Sequence, residues 1–485
     1  MFTFLGGIVL LIVGGYFYGL LIEKIFGVSD KPTPAVTISD GVDYVPLPKW
    51  KNSLINLLDI AGTGPILGPI QGILFGPIAF ITIPIGCIIG GFVHDYMNGM
   101  ISVRNDGAQS PKLVRKYLGK PAGIVFAVFI VILLFFCCAV FIYTPADMIT
   151  AGILKNQSIS PSNPVVWIIY AIIILYYLVS AIFPIDKIIG KIYPVFGAVL
   201  ILSTVGIFIG IFAKDFSLTE IWETGLRGTH PDNVNFMPVF FVTVACGIVS
   251  GFHSTQGTLV SRTLKCEKDG RTVFGNMMIA EGVIAMVWAA AAMGIFNSLI
   301  ADKSTPATEM VTVISKEFLG EAGGIIAILG VVILAITSGD TVLRSIRLIL
   351  SEAFSIPQKK SWTRVVFSLA ILPFIVGLLV FAKINESGFS VLWRYFAWSN
   401  QTIAAIVFAL ITVYLINNGR CWIVSLVPGT FYVFVTISFI VNSNIGFGQS
   451  WTVSYIAGAV VASAYAAALL ITAIRTAKGK RKAVQ

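Results

Sequence analysis

Four carboxylates interrupt the long apolar segments of this sequence: Asp59, Asp95, Glu281 and Asp340. A charged side chain is costly in hydrocarbon, so acids at such positions usually bind an ion, carry a proton or pair with a cation. Asp340 stands among hydroxyls in the run Thr337-Ser338-Gly339-Asp340-Thr341. This composition suits either Na⁺ bound by oxygen atoms or a proton held on Asp340. An ion pair with Arg344, one helical turn further on, is the equally weighted alternative.

The other three acids leave similar choices open. Glu281 is a second candidate for ion coupling, and its alternative is an ion pair with Arg262 or Arg271. Asp59 stands near the start of its apolar segment, which favours an interfacial cap or a gate partner. Asp95 follows His94 directly, and neighbouring residues on a helix point about 100° apart. We therefore expect His94 and Asp95 to anchor an interface and not to form one tight pair.

A glycine- and proline-rich stretch follows Asp59 and reads Gly62-Thr63-Gly64-Pro65-Ile66-Leu67-Gly68-Pro69, with Gly76-Pro77 a few residues later. Proline removes a backbone donor and clashes with the preceding turn, so the stretch predicts a broken helix. Irregular backbone is tolerated at membrane depth only inside protein or beside a wet cavity. N–H groups at the start of a half-helix attract a carboxylate. Gly62, Thr63 and Gly64 are therefore candidate substrate-binding residues.

A second interruption lies between Cys246 and Thr258, where three glycines flank a polar run. The candidates for side-chain contacts to a substrate are Phe252, His253, Ser254, Thr255 and Gln256. His253 can bind substrate or a proton; alternatively, it bonds to carbonyls of its own broken helix. A single glycine cluster is also explained by close helix packing or a kink. Two clusters at corresponding places favour a functional pair.

The elements that position these residues follow from the composition. The chain has 485 residues, of which 56% are hydrophobic and 12% charged, with a net charge of +10. This composition excludes a soluble enzyme, a disordered protein and a nucleic-acid binder, and it indicates a polytopic all-α membrane protein. Thirteen apolar windows are long enough to cross a bilayer: 2–26, 54–74, 77–102, 121–144, 165–183, 192–213, 237–261, 273–298, 323–350, 364–383, 393–416, 421–441 and 452–474.

Basic residues cluster in alternate loops, which predicts an N-terminus outside and a C-terminus in the cytoplasm. The two interrupted windows are the second and the seventh, and they start on opposite sides. Windows 2–6 and 7–11 therefore predict two inverted five-helix repeats, each with a discontinuous first helix. The chain then divides into a leading helix and loop at 1–53, repeats at 54–213 and 237–416, and two trailing helices with a basic tail at 421–485.

Five sequence pieces occur in order along the chain: GVDYVPLPKW at 41–50, IAGTGPILGP at 60–69, HDYMNGMISVRNDG at 94–107, SGFH at 250–253 and WSNQTIAAI at 398–406. Together they resemble the carbon starvation protein A family of peptide and pyruvate transporters. The resemblance implies a bacterial inner-membrane carrier used when preferred carbon sources run short. It also implies a LeuT/APC-like core of two five-helix repeats, in agreement with the helix count. Thr63, His94 and Asp59 depart from the family pattern, which bears on the substrate and the coupling ion.

The leading functional hypothesis is a secondary active transporter for small carboxylate-bearing nutrients, coupled to H⁺ or Na⁺, with no other cofactor and no nucleic-acid partner. A nutrient sensor with a carrier fold and a channel are the alternatives. The chain has no GxxxxGK[ST], HExxH or GxSxG motif, so an intramembrane enzyme is not expected. Three widely spaced histidines do not favour a zinc site. Peptide or pyruvate, H⁺ or Na⁺, and the oligomeric state stay open at this point.

Overall fold

The computed structural model describes residues 1–41, 43–154, 159–182, 185–228, 230–300, 302–303, 305–357, 360–385 and 387–482, with backbone alone for 185–194 and 477–482. The described chain is all-helical, with 80% helix and no strands. Its principal helices are α1 (Phe2–Phe26), α2 (Lys49–Ala61), α3 (Gly64–Phe75), α4 (Ala79–Val103), α5 (Ser110–Leu118), α6 (Lys120–Ile153), α7 (Pro164–Ser180), α8 (Ile185–Ala213), α9 (Phe236–Gly247), α10 (His253–Val260), α11 (Glu267–Ser298), α12 (Ala307–Phe354), α13 (Ser361–Ile384), α14 (Gly388–Asn417), α15 (Ile423–Asn442) and α16 (Trp451–Lys482).

Ten of the described helices are long and apolar enough to cross a membrane, and the bent pair α2 and α3 makes an eleventh span. Two further predicted windows contain shorter apolar helices, α7 and α9. The chain is therefore a multi-span helical membrane protein. The count of thirteen spans, the inverted repeats, the division of the chain and the side on which each terminus lies stay predictions.

The long helix α12 has a sharp kink at Gly320, where φ is 71°. A straight helix of its 48 residues would be about 72 Å long, roughly twice the thickness of a bilayer. The segment before the kink folds back, because a Cβ on Gly324 would lie 2.8 Å from the Cα of Lys316. The sequence predicted a loop at 299–322. The structure corrects this, since most of that stretch is a helix packed against the start of the span.

The first break separates α2 from α3 by only two residues, and the two helices bend by 48°. Gly62 ends α2 with φ 45°, a conformation that glycine adopts without a Cβ clash. Pro65 stands in the first turn of α3, where a missing N–H leaves no helical bond unmade. The predicted break is therefore limited to Gly62 and Thr63, because the prolines lie in the second half-helix and do not prevent it.

The second break runs from Ile248 to Phe252, between α9 and α10. It lies directly against the first break. A Cβ on Gly64 would lie 2.6 Å from Sγ of Cys246, and one on Gly68 would lie 2.8 Å from the carbonyl oxygen of Val244. The two broken helices thus meet at the centre of the bundle, as the two glycine clusters predict.

One face of the bundle carries Arg104, Arg262 and Arg271, and we call it the basic face. The described residues 27–41 and 43–48, which we call the strap, cross this face. Leu47 N–H donates to the Thr263 carbonyl at 3.0 Å, and Tyr44 Oη donates to the Asp106 carbonyl at 2.8 Å. The strap therefore covers the ends of the helices that lead to the two breaks.

Candidate functional site

The first break exposes unpaired backbone donors inside the protein. No acceptor among the described residues receives the N–H groups of Gly62, Thr63 or Gly64, and all three residues are buried. The hydroxyl of Thr63 also has no partner there. The Leu58 carbonyl, which a continuous helix would bond to the N–H of Gly62, instead accepts Ser338 Oγ at 3.0 Å. The break therefore presents several donors at the start of α3, the arrangement that favours a bound anion.

Two aromatic rings cover these donors. The ring of Phe141 on α6 occupies the space beside Gly62, where an added Cβ would approach it to 2.6 Å. Phe141 also meets Phe252 edge to face, with ring centroids 6.0 Å apart. Sequence analysis selected Phe252 but missed Phe141, because nothing in the apolar α6 segment distinguishes it from a lipid-facing phenylalanine. Apolar rings around free N–H groups keep water away and strengthen their attraction for an anion.

One residue, Asn400 on α14, accepts the hydrogen bonds of the polar groups at the second break. Asn400 Oδ1 accepts the N–H of Phe252 at 2.8 Å and the hydroxyl of Ser250 at 3.1 Å. The backbone carbonyl of Asn400 accepts the N–H of Gly251 at 3.1 Å. Asn400 therefore replaces the helical partners that the irregular segment has lost. Asn400 belongs to the piece WSNQTIAAI at 398–406, and its hydrogen bonds tie that piece to the second break.

Three of the predicted substrate ligands bond within their own helix. Ser254 Oγ donates to the Gly251 carbonyl at 2.6 Å, and Thr255 Oγ1 donates to the Phe252 carbonyl at 2.8 Å. Gln256 Nε2 donates to Thr255 Oγ1 at 3.1 Å, while its Oε1 has no partner in the described chain. These three side chains therefore bond locally at the start of α10, and His253 is the member of the polar run that reaches the acids of other helices.

His253 joins a buried cluster of titratable side chains. Its Nδ1 lies 2.8 Å from Asp95 Oδ2 on α4, and the other oxygen, Asp95 Oδ1, lies 2.7 Å from His94 Nδ1. The expectation that His94 and Asp95 form no tight pair is wrong. Their side chains leave the helix in different directions, but the His94 ring turns back far enough for its Nδ1 to reach the carboxylate. One carboxylate thus bridges two imidazoles.

Glu281 on α11 completes this cluster. Its Oε2 lies 3.6 Å from Nε2 of His253, and the residue is 0% exposed. The predicted partners of Glu281 are bound elsewhere: Arg262 pairs with Glu352 at 2.9 Å and Arg271 with Glu23 at 3.0 Å, both on the basic face. Ion pairing of Glu281 with either arginine is therefore wrong, because Arg262 lies after α10 and Arg271 in the first turns of α11, both at the basic face, while Glu281 lies within the bundle.

The predicted ion-coupling run on α12 separates into two faces. Ser338 points to the first break through its bond to Leu58, whereas Asp340 Oδ2 accepts Ser180 Oγ on α7 at 2.5 Å. Side chains two residues apart on a helix point about 160° away from each other, so Ser338 and Asp340 do not share one ion. Thr337 and Thr341 donate to carbonyls of their own helix, at 2.9 Å each. Arg344 lies 3.5 Å from Asp43 of the strap.

A buried ion pair was missed altogether. Lys383 Nζ on α13 donates to Asp147 Oδ1 on α6 at 2.7 Å, and the ammonium group lies 4.7 Å from the centre of the Tyr143 ring. Both charged residues are buried, at 5% and 3% exposure. The sequence signal was two opposite charges at the ends of apolar windows, but their proximity depends on which helices pack together.

The shape of the chain is that of known transporters. An Eremococcus coleocola manganese transporter superposes with a TM-score of 0.58 at 13% identity, covering 92% of this chain and 99% of that one. The structure of MhsT in complex with L-phenylalanine gives a TM-score of 0.57 at 13% identity, covering 88% and 99% of the two chains. Such neighbours have the LeuT fold. At this identity they establish the fold alone.

The sequence comparisons identify the family. Residues 1–170, 148–318 and 301–439 match the family described as carbon starvation protein CstA, and the chain belongs to that family. A Haemophilus influenzae protein described as an uncharacterized membrane protein is 38% identical over an alignment 342 residues long, gaps included, that covers 61% of this chain and 92% of that one.

The curated family members with a functional name are longer proteins. The Escherichia coli peptide transporter CstA is 27% identical over an alignment 293 residues long, which covers 49% of this chain and 42% of that protein. The Helicobacter pylori peptide transporter CstA is 25% identical over an alignment 333 residues long, which covers 57% of this chain and 48% of that protein. The chain thus matches less than half the length of these curated transporters. Family and fold together define it as a membrane transporter.

Proposed function

We propose that the protein is an ion-coupled secondary transporter that imports small carboxylate-bearing nutrients, peptides or pyruvate, across the bacterial inner membrane. The observation that carries the proposal is the set of buried, unpaired N–H groups at Gly62, Thr63 and Gly64. Peptides and pyruvate both have a carboxylate that these donors can bind. The name peptide transporter, given to relatives, supports this class of substrate. A role when preferred carbon is scarce is part of the proposal.

In this proposal the substrate carboxylate sits at the start of α3. The free N–H groups and the Thr63 hydroxyl bind it, and the half-helix dipole adds to the attraction. Phe252 and Phe141 flank the site and exclude water. His253, Ser254, Thr255 and Gln256 form the facing wall, where the free Oε1 of Gln256 can accept a donor such as a peptide N–H. The proposal places the basic face in the cytoplasm.

The coupling ion binds close to this site, because it must sense whether the break is occupied. Two places fit. Ser338 and Thr341 with the Leu58 carbonyl offer oxygen atoms for Na⁺ beside the first break, and Thr337 lies near them on α12. Glu281 with His253 offers a place for H⁺ beside the second break. Asp340 lies on a different face of α12, so we propose for it a part in joining α12 to α7 through Ser180.

Release to the cytoplasm requires the strap to leave the basic face. Asp43 then parts from Arg344, and Tyr44 parts from Asp106 and from Arg262, whose guanidinium lies 5.1 Å from the centre of the Tyr44 ring. Arg344 and Arg262 are both buried, at 4% and 5% exposure, so opening of the strap exposes their guanidinium groups to water. The strap is therefore the moving part that we propose for alternating access.

The experiment is uptake by purified protein in proteoliposomes. Labelled pyruvate and a labelled dipeptide are supplied separately, each under an inward pH gradient, an inward Na⁺ gradient or none. We expect accumulation of at least one substrate above its external concentration under one of the two gradients. Binding without any uptake or exchange would favour the nutrient sensor. Ion flux without added substrate would favour a channel.

A further inference from the structure

We infer that His253 shuttles one proton between Glu281 and Asp95, which makes H⁺ the coupling ion and the movement of α10 its switch. The inference rests on the proposed transport function. His94 holds Asp95 in place from the other side. Two observations support the inference. His94, Asp95, His253 and Glu281 lie in contact although they belong to three helices. Nε2 of His253 and both carboxyl oxygens of Glu281 have no hydrogen-bond partner among the described residues.

The hydrogen positions follow from the contacts of Asp95. An ionised carboxylate only accepts hydrogen bonds, so each histidine that bonds to Asp95 places its proton on Nδ1. A neutral imidazole with Nδ1–H has a lone pair on Nε2. Nε2 of His253 has no hydrogen-bond partner among the described residues, and Glu281 Oε2 faces it at 3.6 Å. His253 is thus arranged to accept a proton from Glu281.

Glu281 is arranged to hold that proton. It is fully buried, and neither of its oxygens has a hydrogen-bond partner in the described part of the chain. Within the same residues no lysine or arginine pairs with it. An ionised carboxylate in this position would be a buried charge without compensation, which is costly by several kcal/mol. The proton on Glu281 removes that cost.

The other titratable groups near the cluster do not compete for the role. The thiols of Cys87 on α4 and Cys246 on α9 lie close enough to Glu281 to interact with its charge, and Tyr432 on α15 lies similarly close to Cys87. The Cys87 thiol donates to the Gly247 carbonyl at 3.1 Å, so it acts as a neutral donor. Phe408 on α14 packs edge to face on the His94 ring and closes that side.

The transfer balances with one proton and no change in net charge. The Glu281 carboxyl gives its proton to Nε2 of His253, while the Nδ1 proton of His253 passes to Asp95 Oδ2. Glu281 is then the carboxylate, Asp95 the carboxylic acid and His253 the Nε2–H tautomer. The reverse step restores the first arrangement. His94 touches neither transferred proton, so it is a positioning residue.

The distances make the transfer depend on conformation. His253 to Asp95 is a normal hydrogen bond, whereas 3.6 Å between His253 and Glu281 is too long for one. A shift of about 0.5–1 Å closes that gap. His253 is the first residue of α10, directly after the second break, so a rearrangement of the breaks when substrate binds would move it relative to α11.

The Asp95 end of the cluster continues toward the basic face through buried polar groups. Asn98 Nδ2 and Ser110 Oγ both donate to the Ser254 carbonyl, at 3.0 and 2.9 Å. Asn98 Oδ1 and Gln109 Nε2 have no partner in the described chain. Such orphaned groups commonly bond to internal water. A proton on Asp95 therefore has a route through polar groups toward the basic face. Glu281 lies at the other end of the cluster, away from this route.

The test is the Glu281→Gln variant in proteoliposomes, with accumulation and counterflow measured side by side. A pH gradient of one unit supports up to about tenfold accumulation with one proton per substrate. We expect wild type to approach this ratio and Glu281→Gln to stay near unity while it keeps counterflow, since exchange needs no net proton movement. Glu317→Gln makes the same chemical change at the exposed Lys214 pair and should leave the ratio unchanged.

A second variant covers the case in which Glu281→Gln does not fold. Glu281→Asp withdraws the carboxyl from His253 and should slow the approach to the accumulation plateau without lowering it. His94→Gln should change the pH dependence of the rate more than the plateau. A pyranine signal inside the vesicles should show acidification with substrate entry in wild type and not in Glu281→Gln.

Three results distinguish a failure of the proposed transport function from a failure of the proton shuttle. If wild type shows neither uptake nor counterflow, the transport function fails. If wild type accumulates substrate only under a Na⁺ gradient, transport stands and the proton shuttle is wrong. Full pH-driven accumulation in Glu281→Gln would also overturn the shuttle.

Discussion

The two breaks at the centre of the bundle solve the same backbone problem in opposite ways. At the first, three consecutive N–H groups have no acceptor in the described chain. At the second, Asn400 supplies acceptors for the N–H groups of Gly251 and Phe252. Unpaired buried donors are rare because each costs free energy. The first break therefore has backbone donors that an acceptor on a ligand can bond, whereas the N–H groups of Gly251 and Phe252 at the second break already have acceptors.

The chemistry beside each break differs accordingly. The first is lined by Thr63 and covered by phenylalanine rings, with no charged side chain needed to bind an anion. The second is followed at once by His253, which contacts Asp95 and faces Glu281. One break is thus suited to binding substrate and the other to sensing that binding through a proton.

The largest effect should come from Asn400→Ala. The change removes the acceptor that Asn400 provides for the N–H of Phe252 and the hydroxyl of Ser250 inside the protein. The loss of a buried hydrogen-bond partner costs about 1–3 kcal/mol of stability for each group. We expect a lower thermal midpoint in detergent and loss of transport. Asn442→Ala removes an exposed amide that bonds to the Gln449 carbonyl, and it should change the midpoint little. An unchanged midpoint in Asn400→Ala would mean that the second break does not depend on this side chain.

Gly64→Ala should be next. The new Cβ would meet Cys246, so α3 must move and its donors lose their alignment. The loss of charge-assisted hydrogen bonds, about 1.5–3 kcal/mol, predicts a ten- to hundredfold fall in uptake efficiency. A valine at this position would also strain the fold through the same contact. Cys246→Gly in the same chain should restore part of the activity by removing the obstructing side chain.

The matched control lies on the other broken helix. A Cβ on Gly257 has 3.4 Å to the nearest side-chain atom, Asn98 Nδ2, so Gly257→Ala should fit with small adjustments. Uptake close to wild type is expected. Equal losses in Gly64→Ala and Gly257→Ala would show that the two breaks are not distinguished by ligand binding.

Thr63→Val tests the side chain of the first break at nearly constant volume. Its hydroxyl has no partner in the described residues, so removing it strands nothing. A neutral hydrogen bond to substrate is worth about 0.5–1.5 kcal/mol, which predicts a two- to tenfold rise in KM with little change in the thermal midpoint. A higher midpoint with unchanged KM would assign Thr63 to packing alone.

The smallest effect on transport is expected far from both breaks, at Glu220 in the loop between α8 and α9. Burial alone would raise the pKa of Glu220, but the ammonium group of Met1 and hydrogen bonds from Thr3 and Phe2 outweigh it and lower the pKa to about 2. A lowered pKa stabilises the fold above the ordinary value near 4.5, and the contribution disappears as pH falls toward 2.

Glu220→Gln should therefore lower the thermal midpoint at pH 7 and flatten its decline between about pH 5 and 2, as the linkage relation requires. Uptake at neutral pH should stay near wild type. A transport defect as large as that of Gly64→Ala would mean that this loop takes part in the transport cycle.

The sequence was sufficient for the positions of both breaks, because glycine clusters are rare in membrane helices unless they serve packing or function. It was not sufficient to identify the residues that bond to the backbone groups at the breaks. Asn400 is about 150 residues from the second break, and only the packing of α14 brings them together. The same limit applies to Glu281, for which sequence proximity suggested arginines and the structure supplies His253.

Local rules also misled in two places. Pro65 was interpreted as a helix breaker, but its position in the first turn of α3 makes it compatible with the helix. The run from Thr337 to Thr341 was treated as one ion site, although its members occupy different faces of α12. Spacing along the chain defines a helix face, but the neighbours of that face define what it can bind.

The claim that the first break binds a carboxylate is tested most directly by competition in counterflow. Labelled pyruvate or dipeptide exchanges in proteoliposomes against unlabelled acid, or against its methyl ester or amide, which lack the carboxylate. We expect the free acids to compete and the analogues without a carboxylate to fail, with the difference reduced in Gly64→Ala. Equal competition by the acid and by an analogue without a carboxylate in wild type would contradict binding of the carboxylate at Gly62, Thr63 and Gly64.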